Sequence, residues 1–339
     1  SLRLIAQTKG EAFYRGEIAA AVEAFSDRTG GAMKASDFAA YRPEWVKPIS
    51  QSYAGHELHE IPPNGQGIAA LIALGILKNL DLRAHGVDSV AAQHMQIEAM
   101  KLAFADVYRY VADAGAMQVT VEQLLDPAYL AGRAKLIDMG KAQDFKAGNP
   151  VKGGTIYLTA ADESGMMVSF IQSNYMGFGS GLVLPGYGVS LQNRGHCFTL
   201  EEGHPNQVAP GKRPFHTIIP AFLTKNGQPV MSYGVMGGNM QPQGHMQTLV
   251  RMLDYGQQPQ AACDAPRWRY NEGLSINVEP HMPAATIEGL RALGHEIGDI
   301  HDSYQDFGAG QFIWRLGNPG EEGYVAASDP RRDGAAVGY

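Results

Sequence analysis

The sequence predicts a layered α+β protein in which helices cover a sandwich of β-sheets. Up to about residue 145 the apolar residues recur with helical periodicity, whereas the chain after Thr155 consists of short apolar strands separated by turns. A polar, loop-like stretch over residues 141–154 separates the two patterns. No internal repeat occurs, so we expect one mixed fold rather than a repeat array.

The N-terminal part begins with helical segments and then forms a strand. Residues 17–25 are amphipathic, and Gly30-Gly31 supplies a stop signal. Residues 36–38 start a short second helix. Residues 57–61 alternate as a strand, and the sequence Pro62–Gly67 then turns the chain.

Two longer helices are predicted after that turn. Residues 68–79 are apolar almost throughout, and residues 88–112 form the longest helical pattern. Within the second helix, the residues that recur at three- and four-residue spacing are interpreted as a packing stripe rather than a ligand set. They are His94, Ile97, Lys101, Phe104 and Tyr108.

The C-terminal part is predicted to be rich in strands. Residues 155–162 and 166–173 read as a hairpin across the turn Asp162–Gly165. Further strands are expected at 187–193, 217–224, 229–235, 310–316 and 322–328, and helices at 241–255 and 286–293.

Composition and charge exclude several classes of function. Lys and Arg number 27 against 34 Asp and Glu, and without a basic stripe the net charge of −7 argues against nucleic-acid binding. No apolar run approaches the ~20 residues of a membrane span, so we expect no membrane partner. Cys197 and Cys263 are too far apart for a CxxC motif, and no HExxH or phosphate-binding loop occurs. We therefore predict neither a metal site nor a cofactor.

The junction Lys152-Gly153-Gly154-Thr155 carries a chemical possibility of its own. Glycines adopt conformations closed to other residues, so the Thr155 hydroxyl could reach the Gly154 carbonyl and shift that acyl group from nitrogen to oxygen. Hydrolysis of the ester would leave an N-terminal threonine, whose own amine can act as the base for its hydroxyl. Taken alone, the pattern is more typical of an ordinary loop.

A series of short motifs follows the same order as in a known family. The N-terminal part carries them at Phe13–Ala19, Asp37–Tyr41, Pro62–Gly67 and Ala105–Asp113. The C-terminal part carries them at Asn174–Gly181, Gly211–Pro214, Met236–Gly238, Ala265–Arg267 and Ala327–Arg331. Over residues 13–339 the chain resembles the γ-glutamyltranspeptidase family of N-terminal-nucleophile hydrolases, which includes acylases acting on glutaryl-type side chains.

This resemblance implies an αββα sandwich and a precursor that cleaves itself between Gly154 and Thr155. Residues 1–154 then correspond to the C-terminal part of the large subunit, residues 155–339 to the small subunit, and the two form one intertwined unit. The start of the large subunit, including an arginine that grips the substrate's α-carboxylate in the family, is expected to lie upstream of Ser1. The sequence does not distinguish a periplasmic from a cytoplasmic location.

The resemblance also assigns catalytic roles. Thr155 is the implied nucleophile, and its amine the base. Gly237 and Gly238 match the pair whose backbone N–H groups stabilise the oxyanion, with an ordinary strand-to-helix turn as the alternative. Ser173 matches a hydroxyl that hydrogen-bonds the nucleophile, with a surface serine as the alternative.

The implied substrate pocket departs from the transpeptidase pattern. Tyr175, Arg194 and Cys197 stand where transpeptidases have asparagine, glutamine and aspartate, and the pair His216-Thr217 replaces two serines. Loss of the aspartate removes the partner of the substrate's α-ammonium, and Arg194 favours anions. His216 is equally well interpreted as a structural histidine.

The sequence thus predicts a self-processing threonine amidohydrolase or acyltransferase. Its expected substrate is a γ-glutamyl or glutaryl-like amide, with water or an amine as acceptor. Large and small subunits are expected to pair after cleavage, with homo-oligomerisation left open. The alternative is a catalytically silent or uncut scaffold, against which the retention of Thr155, Ser173, Gly237 and Gly238 argues.

Overall fold

A computed structural model of the protein describes residues 1–146, 154–298 and 306–339. These residues form two compact units. The first unit combines Ser1–Val46 with Asn174–Arg194, and the second combines Lys47–Ser173 with Gly195–Tyr339. The predicted division between Gly154 and Thr155 concerns a covalent cut rather than packing, and it stays a prediction.

Helices and strands are distributed along the whole described chain. The α-helices are α1 (Leu2–Gln7), α2 (Glu11–Tyr14), α3 (Glu17–Thr29), α4 (Ala35–Ala40), α5 (Ile68–Leu77), α6 (Val90–Tyr110), α7 (Val121–Leu124), α8 (Pro127–Ala134), α9 (Met240–Leu249), α10 (Pro259–Asp264) and α11 (Ala284–Ala292). The strands are β1 (Ile49–Tyr53), β2 (His56–Glu60), β3 (Gly154–Ala161), β4 (Met167–Tyr175), β5 (Val183–Leu184), β6 (Val189–Ser190), β7 (Ala221–Lys225), β8 (Gln228–Met236), β9 (Trp268–Glu272), β10 (Ser275–Val278), β11 (Glu296–Ile297), β12 (Ala309–Arg315) and β13 (Tyr324–Ser328). Turns of 3₁₀-helix occupy Leu82–Ala84, Ala114–Ala116 and Arg194–Cys197, and a π-helical segment at Val250–Asp254 extends α9.

The first unit is built around α3 and the short hairpin of β5 and β6. Ile18 and Val22 of α3 and Leu184 of β5 form its buried core. Helix α3 ends where the sequence predicts, because Gly30 adopts a φ of +75° and caps it.

The second unit contains a large antiparallel sheet covered by helices. Six strands lie in the order β1-β2-β7-β8-β12-β13, and α5 and α9 pack in contact with this sheet. Every residue of α5 is buried, which fits its apolar sequence. Helix α9 approaches β8 closely at Gly244, which has no Cβ. An added Cβ would lie only 2.5 Å from a methyl carbon of Val235.

A second sheet, formed by β3 and β4, packs against β8 and β12 of the large sheet. Tyr157 of β3 points inward and packs where Gly234 leaves room, since a Cβ there would lie 2.5 Å from the ring. Side chains alternate along a strand, so Thr155 points inward as well. Ile156 and Leu158 point outward and are 63% and 47% exposed.

The predicted elements agree with the structure in order and type, and two strands differ in extent. The strand expected at 217–224 begins only at Ala221, and that expected at 187–193 is reduced to Val189–Ser190. Before Ala221, the Thr217 carbonyl and the Ile219 amide bond to glutamine side chains instead of a neighbouring strand. Pro220 has no N–H to offer a sheet. Within the described residues, none of the helices is long and apolar enough to cross a membrane.

Candidate functional site

Thr155 occupies the second position of β3, directly after Gly154. Its side chain is buried, and the Nε2 of Gln241 lies 3.4 Å from its Oγ1. The Oε1 of the same Gln241 accepts the Ile219 N–H at 3.1 Å, which fixes the orientation of the amide. Lys152 and Gly153 of the predicted cleavage junction lie outside the described residues.

Gly237 and Gly238 form the turn that joins β8 to α9. Their φ angles are +124° and +60°, a region that glycine enters without steric cost. Their carbonyl oxygens accept the backbone N–H groups of Met240 at 3.0 Å and Gln241 at 3.2 Å, which starts the helix. The side chain that contacts Thr155 therefore belongs to the second residue of the helix that follows this glycine turn.

Ser173 lies near the end of β4, on the inward side of the hairpin. Side chains two residues apart share a face, so Ser173 faces the same way as Ser169. Ser169 Oγ lies 2.7 Å from the hydroxyl of Tyr157, which in turn shares the inward face of β3 with Thr155. The predicted hydroxyl partner and the predicted nucleophile therefore share one face of the hairpin.

His216 and Thr217 run alongside the turn that precedes α5. The His216 N–H donates to Asn64 O at 2.9 Å, and the Gln66 N–H donates to His216 O at 2.8 Å. The side-chain amide of Gln66 then donates to Thr217 O at 2.6 Å and to Gly238 O at 2.8 Å. One side chain thus joins the predicted pocket segment to the predicted oxyanion turn.

Cys197 is connected to the same segment through an asparagine. The Asn206 side chain donates to Cys197 O at 2.7 Å and accepts the Phe215 N–H at 2.8 Å. Because Phe215 precedes His216, the backbone at Cys197 and the pair His216-Thr217 are held by a shared bridge. The second unit therefore brings together most of the residues that the sequence singled out.

Tyr175 and Arg194 belong to the first unit, where they contact each other. The guanidinium of Arg194 lies 5.1 Å from the centre of the Tyr175 ring, a cation–π arrangement. Tyr175 adopts a φ of +77°, which costs a bulky residue on the order of 1–3 kcal/mol. Asparagine, which the family resemblance places here, tolerates that conformation more readily.

Gln66, Gln241 and Asn206 are site residues that the sequence did not single out. Gln66 lies inside the motif Pro62–Gly67, but nothing in a single sequence indicates that its side chain bridges two carbonyls. What distinguishes these side chains is that they are buried, and burial becomes visible only in the folded chain.

Comparisons with known proteins identify the family of the chain. The family model described as "Gamma-glutamyltranspeptidase" matches residues 1–339. The chain belongs to the γ-glutamyltranspeptidase family. The prediction of family and of an α+β N-terminal-nucleophile hydrolase sandwich is thereby confirmed.

Relatives within this family carry several names. The chain is 37% identical over 344 residues to the glutathione hydrolase-like YwrD proenzyme of Bacillus subtilis and covers 64% of it. It is 36% identical to the oxamate amidohydrolase proenzyme of Klebsiella pneumoniae, again covering 64%. The crystal structure of a cephalosporin acylase from Bacillus halodurans superposes with a TM-score of 0.91 at 50% identity. All of this chain is covered in that superposition, but only 62% of the acylase.

A buried polar cluster on α6 lies outside the family's expected site. Lys101 Nζ lies 2.8 Å from Glu98 Oε1 and donates to Gln143 O at 3.1 Å. It also lies 3.5 Å from His295 Nδ1. The series of polar contacts extends to a second histidine, because His94 Nδ1 lies 2.8 Å from His295 Nε2. His94 and Lys101, which the sequence predicts to be packing residues, therefore make buried polar contacts.

The hydrogen-bond directions in this cluster are fixed by the ammonium of Lys101, which can only donate. His295 Nδ1 therefore accepts, and its Nε2–H donates to His94 Nδ1. His94 Nε2–H then donates to Asp138 O at 2.9 Å. His94, Glu98 and His295 have metal-ligand chemistry and lie close together. However, the two histidines already bond to each other, and Glu98 and His295 both contact the ammonium of Lys101. A cation would have to displace that ammonium, so these residues fit a metal poorly.

The cluster predicts a pH dependence of stability. Burial, followed by the charge of Lys101, lowers the pKa of His295 to about 3, well below the ~6.5 of an unfolded histidine. Below about pH 6.5, His295 binds a proton in the unfolded chain but stays neutral in the folded chain. The folded state is therefore fully stable, as far as His295 is concerned, above that pH. As the pH falls from 6.5 towards 3, the free energy of unfolding decreases by at most about 1.4 kcal/mol per pH unit.

The variant His295→Gln checks this expectation, because glutamine can still accept from Lys101 and donate to His94. Its free energy of unfolding in urea should fall less steeply between pH 6.5 and 4 than that of the wild type. Parallel pH profiles for the two proteins would show that His295 does not titrate in this way.

Two of the family motifs meet in a buried ion network. Arg267, from Ala265–Arg267, lies 2.8 Å from Asp329, from Ala327–Arg331. Arg331 donates its Nε to Glu279 at 2.6 Å and lies 3.1 Å from Asp329. The motifs can be recognised in the sequence, but the ion pairs between them become visible only in the folded structure.

Proposed function

We propose that the protein is an autoprocessed amidohydrolase with Thr155 as its nucleophile. The observation that carries the proposal is the buried Thr155 hydroxyl next to Gln241, beside a turn of two glycines with left-handed φ angles. Relatives named as proenzymes support the processing step. Because the chain spans only 64% of those relatives, the activity is proposed for the protein of which these residues are part.

The proposed chemistry uses one hydroxyl twice. First, Thr155 Oγ1 attacks the Gly154 carbonyl, and the C–N bond breaks as the Thr155 nitrogen takes the hydroxyl proton, which frees the threonine amine. Water then hydrolyses the resulting ester and releases the Gly154 carboxyl and the Thr155 hydroxyl. Next, that amine takes the hydroxyl proton while Oγ1 attacks a substrate amide. Backbone N–H groups of Gly237 and Gly238 stabilise the oxyanion, and the leaving amine takes the proton. Water or an acceptor amine then releases the acyl group, and the large and small chains stay paired.

For the acyl group we propose a carboxyl-bearing chain without an α-ammonium, as in a glutaryl amide. Cys197 stands where transpeptidases carry the aspartate that pairs with this ammonium, and Arg194, a cation, stands where they carry an uncharged glutamine. A buried ammonium without a partner is costly. The similarity to a cephalosporin acylase supports this choice.

Two chromogenic anilides that differ only in the α-ammonium test the substrate proposal. We expect kcat/KM to be at least about tenfold higher for glutaryl-p-nitroanilide than for γ-glutamyl-p-nitroanilide, because a charged group loses its partner. Cys197→Asp should shift the ratio towards the γ-glutamyl substrate, whereas the neutral control Cys197→Asn should not. Equal efficiency on both anilides in the wild type would rule out the acylase preference while leaving the nucleophile in place.

A scaffold without catalysis is the competing proposal. It predicts a single uncut polypeptide and no release of p-nitroaniline from either substrate. Intact-mass measurement of the protein made from its complete reading frame separates the two proposals, since processing gives two masses that divide before Thr155.

A further inference from the structure

We infer that Gln66 is a positioning residue. It fixes the position of the candidate oxyanion turn, Gly237-Gly238, relative to the pocket segment, His216-Thr217. The inference rests on the proposed function. Gln66 is completely buried, and its side-chain amide donates to Thr217 O at 2.6 Å and to Gly238 O at 2.8 Å. A primary amide has two N–H groups, so its donor capacity is used in full on these two carbonyls.

The Gly238 carbonyl connects this bond to the nucleophile. Besides Gln66, it accepts the backbone N–H of Gln241 at 3.2 Å. The side chain of Gln241 is the group that lies 3.4 Å from Thr155 Oγ1. A displacement of Gly238 would therefore change both the N–H groups of the turn and the residue that contacts the hydroxyl.

The glycine turn needs this external support because its own preferences are weak. Two consecutive glycines have no side chains to restrict their backbone angles, so contacts from elsewhere must select one conformation. One side of Gly237 is closed by Gly308, whose Cα would lie 3.1 Å from an added Cβ. Gln66 supplies a hydrogen bond to the adjacent Gly238, from a segment distant in sequence.

Gln66 fixes the pocket segment at the same time. Its backbone N–H donates to His216 O, its side chain to Thr217 O, and the preceding Asn64 O accepts the His216 N–H. The distance between the pocket segment and the oxyanion turn is thus set by one side chain. Catalytic groups tolerate errors of about 0.5 Å, and a misplacement near 1 Å costs roughly 10²-fold in rate.

A second buried glutamine provides a matched control. Gln247 donates its amide to Gln243 O at 3.2 Å and Trp268 O at 3.0 Å, so it also bridges two backbone carbonyls. Neither carbonyl belongs to the candidate site. Replacing either glutamine removes two amide donors, and at Gln247 it also removes the acceptor of the Trp268 N–H at 3.2 Å. Only the change at Gln66 should reach the oxyanion turn.

The experiment compares Gln66→Met with Gln247→Met in the protein made from its complete reading frame. For Gln66→Met we expect kcat per cleaved molecule to fall by roughly 10- to 100-fold, with KM changed less than about threefold. The decrease should be equal for glutaryl- and γ-glutamyl-p-nitroanilide, because both form the same oxyanion. Gln247→Met should lower the unfolding midpoint in urea and leave kcat per cleaved molecule unchanged.

A wild-type kcat in cleaved Gln66→Met, or equal losses of kcat in both variants, would overturn the inference. If Gln66→Met does not fold or cleave, Gln66→Asn takes its place, because the shorter amide keeps its donors but cannot span both carbonyls. Full activity of cleaved Gln66→Asn would also overturn the inference. Failure of the proposed function has a different signature, namely turnover that survives Thr155→Ala.

Discussion

Thr155→Ala is expected to leave the protein uncut and to reduce amide hydrolysis by about 10⁴-fold or more. The hydroxyl is proposed to attack first the Gly154 carbonyl and later the substrate, so its removal abolishes both steps. Alanine is smaller than threonine by one hydroxyl and one methyl group, and the hydrogen bond that it removes, from Gln241 to Oγ1, is long at 3.4 Å. The loss should therefore appear in cleavage and turnover rather than in folding.

Intact mass and p-nitroanilide release measure these two effects. Thr155→Ser keeps a hydroxyl and should still cleave, more slowly than the wild type. Thr159→Ala is the matched control on the same strand, since the Thr159 hydroxyl donates to Val168 O at 2.9 Å and contacts Ser232. It should cleave and turn over normally. Cleavage before residue 155 in Thr155→Ala would contradict the proposal.

The fold was largely accessible from the sequence because hydrophobic periodicity and turn residues are local signals. They placed α5, α6 and the hairpin of β3 and β4 close to their observed bounds. They failed at residues 217–220, where the backbone bonds to the side chains of Gln66 and Gln241 rather than to a strand. Such bonds depend on residues far away in the sequence, which periodicity does not register.

The candidate site was accessible as a set of positions but not as a network. The resemblance to the family indicates Thr155, Gly237, Gly238 and the pair His216-Thr217, and the second unit brings these residues together. The glutamines and the asparagine that connect them were missed, since polar residues at helix starts and in turns are usually solvated. Their role follows only from burial combined with bond partners.

Asp329→Ala is expected to lower the free energy of unfolding by about 3–5 kcal/mol, because it leaves Arg267 and Arg331 without their shared carboxylate. Burial alone would raise the pKa of Asp329, but the two guanidinium groups hold it below its ordinary value. The folded-state pKa is therefore lower than the unfolded value of about 3.9. The stabilisation is present above about pH 4 and is lost as pH falls through the folded-state pKa.

Urea unfolding at pH 7 measures this loss, and Glu288→Ala serves as the control. Glu288 pairs with Arg291 at 2.7 Å on the surface, where solvent screens the pair, so its removal should change stability little. Equal midpoints for Asp329→Ala and the wild type would mean that the buried network does not stabilise the fold.

The same substitution should also reach the candidate site. Asp329 accepts the Gly310 N–H at 2.8 Å, and Arg267 donates to Phe307 O at 3.1 Å, so the network holds both ends of residues 307–310. Gly308, between them, packs against Gly237. Asp329→Asn retains an acceptor for Gly310 while removing the charge. It should therefore lose stability but keep more of its kcat than Asp329→Ala, which separates the electrostatic role of this residue from its control of the oxyanion turn.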